Sequence, residues 1–219
     1  MRGRSAFCRS RNAGLGRFPY LCNIMKTLLT VFALKEEEIS LHVPHVKVET
    51  LLTGVGKTQA AGALALALRD IRPDYVLNIG TVGTYRHLRG DILVSRHFID
   101  RDMTRLPTLQ TPHDIDMSQL SFAYHLPSIL DGKEASPEIT INTGDNFVTS
   151  KEEDLYCDAV DMEAFAEAWV CRKVGIPFLS VKYITDILGS NSISIWADRL
   201  KHAREALTSY FQTHSLSLD

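Results

Sequence analysis

The chain has 219 residues, 45% hydrophobic and 23% charged, with 24 basic against 26 acidic side chains. Such a composition fits one soluble globular domain large enough to bury a real core. No apolar run approaches the roughly 20 residues that a membrane span requires.

Residues 1–24 carry five arginines, no acid and no apolar periodicity. Met25-Lys26-Thr27 looks like a natural start followed at once by a strand. The expectation is a leader or upstream extension over 1–24 and a single domain over 25–219. That domain keeps 19 basic against 26 acidic residues, a balance that does not suit a nucleic-acid partner.

From Met25 onward, strands alternate with helices. Leu28–Leu34 is a buried-type run followed by Lys35-Glu36-Glu37-Glu38. Val46–Thr53 is a second strand, closed by Gly54-Val55-Gly56, and Lys57–Asp70 is an Ala/Leu-rich helix. Tyr75–Ile79 is a strand ending in Gly80-Thr81-Val82-Gly83. Asp91–Ile99 alternates as a strand and runs into Asp100-Arg101-Asp102. Residues 104–138 hold four prolines and several turn signals, and they read as a long excursion with one short helix. Ile139–Asn142 is a strand followed by Thr143-Gly144-Asp145-Asn146-Phe147. Ile193–Phe211 closes the chain as an amphipathic helix.

Between these last two lies the stretch around which the chain is organised, residues 157–186. Cys157–Val160 is apolar and leads into Asp161-Met162-Glu163. A helical pattern follows, stopped by Gly175 and Pro177, and Phe178–Ile184 is a second strand ending at Thr185-Asp186. A strand–helix–strand crossover predicts parallel strands whose ends share one edge of the sheet. Ligands of α/β proteins bind at that edge. Glu38, Thr81, Asp145, Glu163 and Asp186 each stand just after a predicted strand, so all five are expected to converge on one crevice.

Two other signals point away from nucleotide and metal chemistry. Gly54-Val55-Gly56-Lys57-Thr58 ends like a phosphate-binding P-loop, but that loop needs a glycine where Leu51 stands. It reads instead as a tight strand-to-helix turn. His42-x-x-His45 is the one close histidine pair, and no Cys or carboxylate nearby completes a metal set. The cysteines Cys8, Cys22, Cys157 and Cys171 form no CxxC pair, which suits a reduced, cytoplasmic setting.

Eight short stretches carry a resemblance: Ala-Leu-Lys-Glu-Glu-Glu (33–38), Thr-Gly-Val-Gly-Lys (53–57), Asn-Ile-Gly-Thr-Val-Gly (78–83), Gly-Asp-Ile-Leu-Val-Ser (90–95), Asp-Arg-Asp-Met-Thr (100–104), Thr-Gly-Asp-Asn-Phe (143–147), Val-Asp-Met-Glu-Ala (160–164) and Ile-Thr-Asp (184–186). In this order they resemble the purine nucleoside phosphorylase/nucleosidase superfamily, and look most like its 5′-methylthioadenosine/S-adenosylhomocysteine nucleosidase branch. The resemblance covers nearly all of 25–211. It implies a three-layer α/β/α sandwich with a central mixed, largely parallel sheet, cleavage of a purine–ribose N-glycosidic bond, no cofactor and a homodimer.

The resemblance also implies roles. Asp186 matches the acid that protonates the leaving purine, and Glu163 the carboxylate that holds the ribose hydroxyls. Met162 matches the residue under the sugar, Phe147 an aromatic stacked on the base, and Val148 an apolar wall. Glu38, third of the triplet, matches the base for attacking water. Thr81 stands where a serine is usual near the nucleophile, and Asp145 is a further candidate for contact with the ligand.

The chain departs from the family's pattern in its short Glu38–Gly54 interval, in Gly83-Thr84 for a Gly-Gly, and in Lys182 where an arginine is common. Two alternatives stay open, a phosphorylase and a non-catalytic nucleoside-binding relative. The phosphorylase branch uses arginines near the first and third strands. Here those places read Leu34-Lys35 and Asn78-Ile79-Gly80-Thr81.

Overall fold

The computed structural model describes residues 25–104, 106, 112–148, 157–188 and 192–218, with backbone only over 192–198. The expected leader lies outside them. The elements are β1 (Lys26–Phe32), a 3-10 turn (Lys35–Glu37), β2 (Val46–Leu52), α1 (Lys57–Ile71), β3 (Tyr75–Thr84), β4 (Ile92–Ser95), β5 (His97–Asp100), α2 (Arg101–Thr104) and β6 (Asp114–Asp116). After a second 3-10 turn come β7 (Ser128–Leu130), β8 (Lys133–Ala135), β9 (Thr140–Thr143), β10 (Ala159–Asp161), α3 (Ala164–Val174), β11 (Phe178–Ile187) and α4 (Ser192–Thr213).

The strands form one mixed sheet in the order β6-β5-β9-β10-β3-β11-β4-β7-β8, with β1 and β2 attached through β3. Side chains alternate across the pleat, so neighbouring apolar residues feed two separate cores. On one face Leu29, Val31, Phe98 and Phe178 pack beneath Leu64 and Leu68 of α1 and Ala168 and Cys171 of α3. On the other, Leu28, Phe32, Leu77 and Leu179 pack beneath Ala203, Leu207 and Phe211 of α4. Helices on both faces of a mixed sheet make the expected three-layer sandwich.

Several expectations are corrected. The Gly80–Gly83 stretch is not a turn but the second half of β3. It stays extended because β11 pairs with it residue by residue, from Val76 as far as Thr84. Asp186 likewise lies inside β11, at a bulge that shifts the register between Ile184 and Asp186. The predicted Asp91–Ile99 strand is split at Arg96. There the buried Ser95 hydroxyl donates to Ile139 O at 2.7 Å and accepts from His97 N at 3.2 Å, so the chain changes sheet neighbours. β4 pairs with β11 and β5 with β9. The 104–138 excursion contains three short strands, of which β7 and β8 form an antiparallel hairpin.

The most consequential correction concerns the crossover. β10 and β11 are not parallel neighbours. β3 lies between them, paired parallel with β11 and antiparallel with β10 through Val160 and Gly83. β5, β9 and β10 form one parallel set, and β2, β1, β3 and β11 another. The two sets meet at their carboxyl ends, because Val160 and Gly83 both stand near the end of their strands. Glu163 and Asp186 therefore still approach one crevice, from opposing directions.

The sheet curls enough that the rings of Phe98 (β5) and Phe178 (β11) meet edge to face at 5.3 Å on the α1/α3 side. This contact closes the two sets against each other. Phe178→Ala is expected to cost about 3–5 kcal/mol of stability, read as a lowered denaturant midpoint with an unchanged far-ultraviolet spectrum.

Candidate active site

The site starts at the first turn of α1. A helix N-terminus presents unpaired N–H groups that favour negative charge. Here carboxylates occupy it: Gly56 N donates to Glu163 Oε1 at 2.9 Å, and Lys57 N to Asp145 Oδ1 at 2.7 Å. Lys57 Nζ turns to Asp100 (2.8 Å) and Asp102 (2.7 Å). The P-loop-like stretch is thus a carboxylate-holding turn.

Asp161, ending β10, is tied down from three sides. Its Oδ1 accepts from the Thr143 hydroxyl at 2.6 Å, its Oδ2 from Ala164 N at 3.0 Å, and Lys182 Nζ lies 3.1 Å from Oδ2. The capped start of α3 then places Met162 and Glu163 at the crevice. Burial, followed by the neighbouring Asp161 charge, pushes the Glu163 carboxyl up to about 7, against the pull of Lys182 and the Gly56 N–H.

From the other strand set, the 3-10 turn after β1 drives Glu37 inward to 4% exposure, where its Oε1 accepts from the Thr81 hydroxyl at 2.7 Å. Burial raises the Glu37 pKa, and the charge of Lys182 opposes the rise. Asp186, 2% exposed, is held by the Thr185 hydroxyl, which donates to Oδ1 at 2.8 Å. Gly83 admits it: a Cβ there would stand 3.0 Å from Asp186 Oδ2 and 2.6 Å from Leu188 Cδ2.

These groups line a cavity of about 230 Å³ together with Leu34, Val55, Val82, Phe147, Val148, Val160 and Leu188. Four buried carboxylates, Glu37, Asp161, Glu163 and Asp186, on an otherwise largely apolar wall can serve as an acid–base site from which water is displaced.

Among the residues singled out from sequence, Thr81, Phe147, Val148, Met162, Glu163 and Asp186 line this cavity. Glu38 does not. It points outward to an ion pair with Lys35, and its neighbour Glu37 takes the inward position. Adjacent residues of a 3-10 turn face about a third of a turn apart, so one of the triplet points in and the next points out. Asp145 is spent on the α1 N-terminus and lies off the cavity.

Sequence reasoning missed three buried groups. Arg101 lines the cavity from α2. Lys182 sits behind it among Glu37, Asp161, Glu163 and Glu167. Burial opposes the lysine's charge, but the four carboxylates outweigh it and raise its pKa. Glu167, fully buried on α3, has no hydrogen-bond partner for either oxygen among the described residues. Its burial pushes it up to about 8, so it is mostly protonated at neutral pH. An acid at a core position of an apolar helical face is the signal that could have found it.

Comparison with known proteins agrees with this architecture. Residues 37–213 match the family described as the phosphorylase superfamily. The 5′-methylthioadenosine/S-adenosylhomocysteine nucleosidase of Bacillus velezensis is 34% identical over 167 residues, covering 67% of this chain and 71% of that protein. The Bacillus subtilis protein of the same name is 34% identical over 162 residues, covering 65% and 69%. In fold, the chain resembles the Helicobacter pylori nucleosidase of that name, with a TM-score of 0.72 at 19% identity over 87% of this chain and 98% of that one. It is equally similar to the futalosine hydrolase of Helicobacter pylori, with a TM-score of 0.72 at 18% identity over 88% and 98%.

Glu167 makes a test of the buried cluster. A carboxyl whose folded pKa is raised stabilises the fold fully below its unfolded value and loses that contribution as pH rises through the folded value. For Glu167 the window runs from its ordinary 4.5 to about 8, with a slope of at most about 1.4 kcal/mol per pH unit. The thermal midpoint of the wild type is expected to fall between pH 5 and 8. Glu167→Gln, which imitates the protonated acid, should flatten that fall, so that the variant gains on the wild type most at pH 8.

Proposed function

The chain belongs to the phosphorylase superfamily, and from that membership and the geometry of its crevice we propose that it hydrolyses the N-glycosidic bond of a purine nucleoside of the 5′-methylthioadenosine/S-adenosylhomocysteine type. The observation that carries this reading is the convergence of Glu37, Glu163 and Asp186, all buried, on one largely apolar cavity. Relatives over 30% identical that bear the nucleosidase name support it.

N-glycosidic cleavage passes through a cation-like ribose while negative charge builds on the departing base. Asp186 supplies the proton to the base, from a strand bulge where Val82, Gly83 and Leu188 exclude water. Glu163 accepts the ribose hydroxyls and faces the developing cation, with Met162 under the sugar and Phe147 and Val148 against the base. Glu37, not Glu38, holds the attacking water and takes its proton, with the Thr81 hydroxyl fixing one of its oxygens. Lys182 keeps these acids from expelling one another's charge.

Water rather than phosphate suits this wall. Glu37 stands where a nucleophile would enter, and a phosphate dianion beside it would be repelled by several kcal/mol in a partly dry site. The chemistry needs no cofactor. Residues 25–219 act as one catalytic domain, and the protein works as a homodimer in the cytoplasm. The groove of Met103, Pro112, Ala166 and Trp169 beside the crevice gives a second copy a face to cover. The free thiols of Cys157 and Cys171 suit a reducing compartment. Among the described residues no helix is long and apolar enough to cross a membrane.

Free adenine release from 5′-methylthioadenosine, measured with and without phosphate, tests the reaction. The expected rate is the same in both, and the products are base and free sugar. Strictly phosphate-dependent release of a sugar 1-phosphate would overturn it. Asp186→Asn should lower turnover by roughly 10²–10⁴ and Glu37→Gln by about 10² or more. Glu38→Gln, which breaks only a surface ion pair, should stay within about fivefold of wild type.

A further inference from the structure

The cavity wall holds one charge that bond cleavage does not use. Arg101, the first residue of α2, is 2% exposed and lines the same cavity as Glu163 and Phe147. A guanidinium stays protonated in any protein environment, so a full positive charge is buried there. Among the described residues no carboxylate forms an ion pair with it. Asp102 feels its charge but gives its oxygen to Lys57 at 2.7 Å.

Its donors are only partly used. Nη2 donates to Asn146 O at 2.6 Å and to Asn146 Oδ1 at 3.2 Å, and Nη1 reaches Asn142 O at 3.5 Å. Nε is buried and has no hydrogen-bond partner among the described residues. The group nevertheless has a fitted seat. A Cβ on Gly144 would lie 2.5 Å from Nη2, 2.6 Å from Nε and 2.7 Å from Cζ, so only a bare backbone at 144 lets the guanidinium lie there. A seat shaped for a guanidinium thus holds a charge that no anion matches among the described residues.

We propose that Arg101 determines specificity by binding a carboxylate on the 5′ substituent of the substrate. The inference rests on the nucleosidase reading and names the substrate class within it. Asp186 enters the crevice from β11 and Arg101 from the end of β5, with β9, β10 and β3 between them in the sheet. With its base between Asp186 and Phe147 and its ribose at Glu163, a nucleoside has only its 5′ arm left to place an anion beside Arg101. A carboxylate there meets the edge of the guanidinium that lines the cavity in a charge-assisted hydrogen bond. A free phosphate dianion is matched less well, since one half-used guanidinium faces it alone and Glu163 and Asp161 share the wall.

The test compares two substrates on the full chain: S-adenosylhomocysteine, which bears a carboxylate, and 5′-methylthioadenosine, which does not. Arg101→Met should lower kcat/KM for the first by about 10- to 100-fold, mainly through KM, and leave the second within about threefold. Arg101→Lys should recover part of the loss. Because Arg101 also grips Asn146, an equal fall on both substrates would make it a support for the Phe147 loop and overturn the proposal. So would no fall on either, or a phosphate-dependent reaction lost in the variant. Calorimetric binding of adenosine 5′-carboxylate and its carboxamide to the wild-type protein needs neither turnover nor a folded variant. It should favour the carboxylate by about tenfold, and equal affinities would remove the anion site. If the wild type releases no base from any nucleoside, the hydrolase reading fails while this binding preference still decides the role of Arg101.

Discussion

The contact between Lys182 and Asp161, 3.1 Å apart and almost fully buried, is the constraint on which the rest of the crevice depends. Lys182 belongs to β11 and Asp161 to β10, strands of opposing parallel sets that both pair with β3. One buried cation faces four acids, Glu37, Asp161, Glu163 and Glu167. Without it, the carboxylates at the seam would have only one another's negative charge for company, and removing one partner of a buried pair commonly costs several kcal/mol. The cluster stays viable because its members divide the work. Asp161 is satisfied by Thr143, Ala164 and Lys182, Glu163 by the first turn of α1, and Glu37 by Thr81. Glu167 avoids the problem by keeping its proton.

Steric room matters as much as charge. Gly80 leaves the space that Glu37 and Lys182 approach from two directions, at 3.3 and 3.4 Å from where a Cβ would stand. Gly83 does the same for Asp186. The second half of β3 is therefore a strand whose missing side chains form the floor of the cavity. Its pairing with β11 keeps that floor rigid, and the bulge at Asp186 turns one carboxyl out of the ladder toward the pocket.

Charge is unevenly spread along the crevice, with Asp161 and Glu163 between its two sides. The β3/β11 side carries Glu37 and Asp186, and the β5 side carries Arg101. Such a distribution rewards one direction of entry for a charged ligand more than it adds affinity.

Legible in the sequence were the three-layer class, the α1 and α3 helices within a residue or so, and the approach of Glu163 and Asp186 to one crevice. Those features are written in apolar periodicity, Gly/Pro stops and the short Val-Asp-Met-Glu and Ile-Thr-Asp stretches, which are local. The relation between the strands was decided by tertiary structure. A crossover pattern cannot register that β3 will insert between β10 and β11 and reverse one against the other. That Glu37 and not Glu38 faces the cavity was also tertiary, because two adjacent acids at a 3-10 turn are equivalent until α4 and β3 pack against one side of it. No role for Arg101, Lys182 or Glu167 was legible in a chain of 24 basic and 26 acidic residues. Only the folded sheet, by closing over them, turned them into buried groups whose charge or proton has to be accounted for.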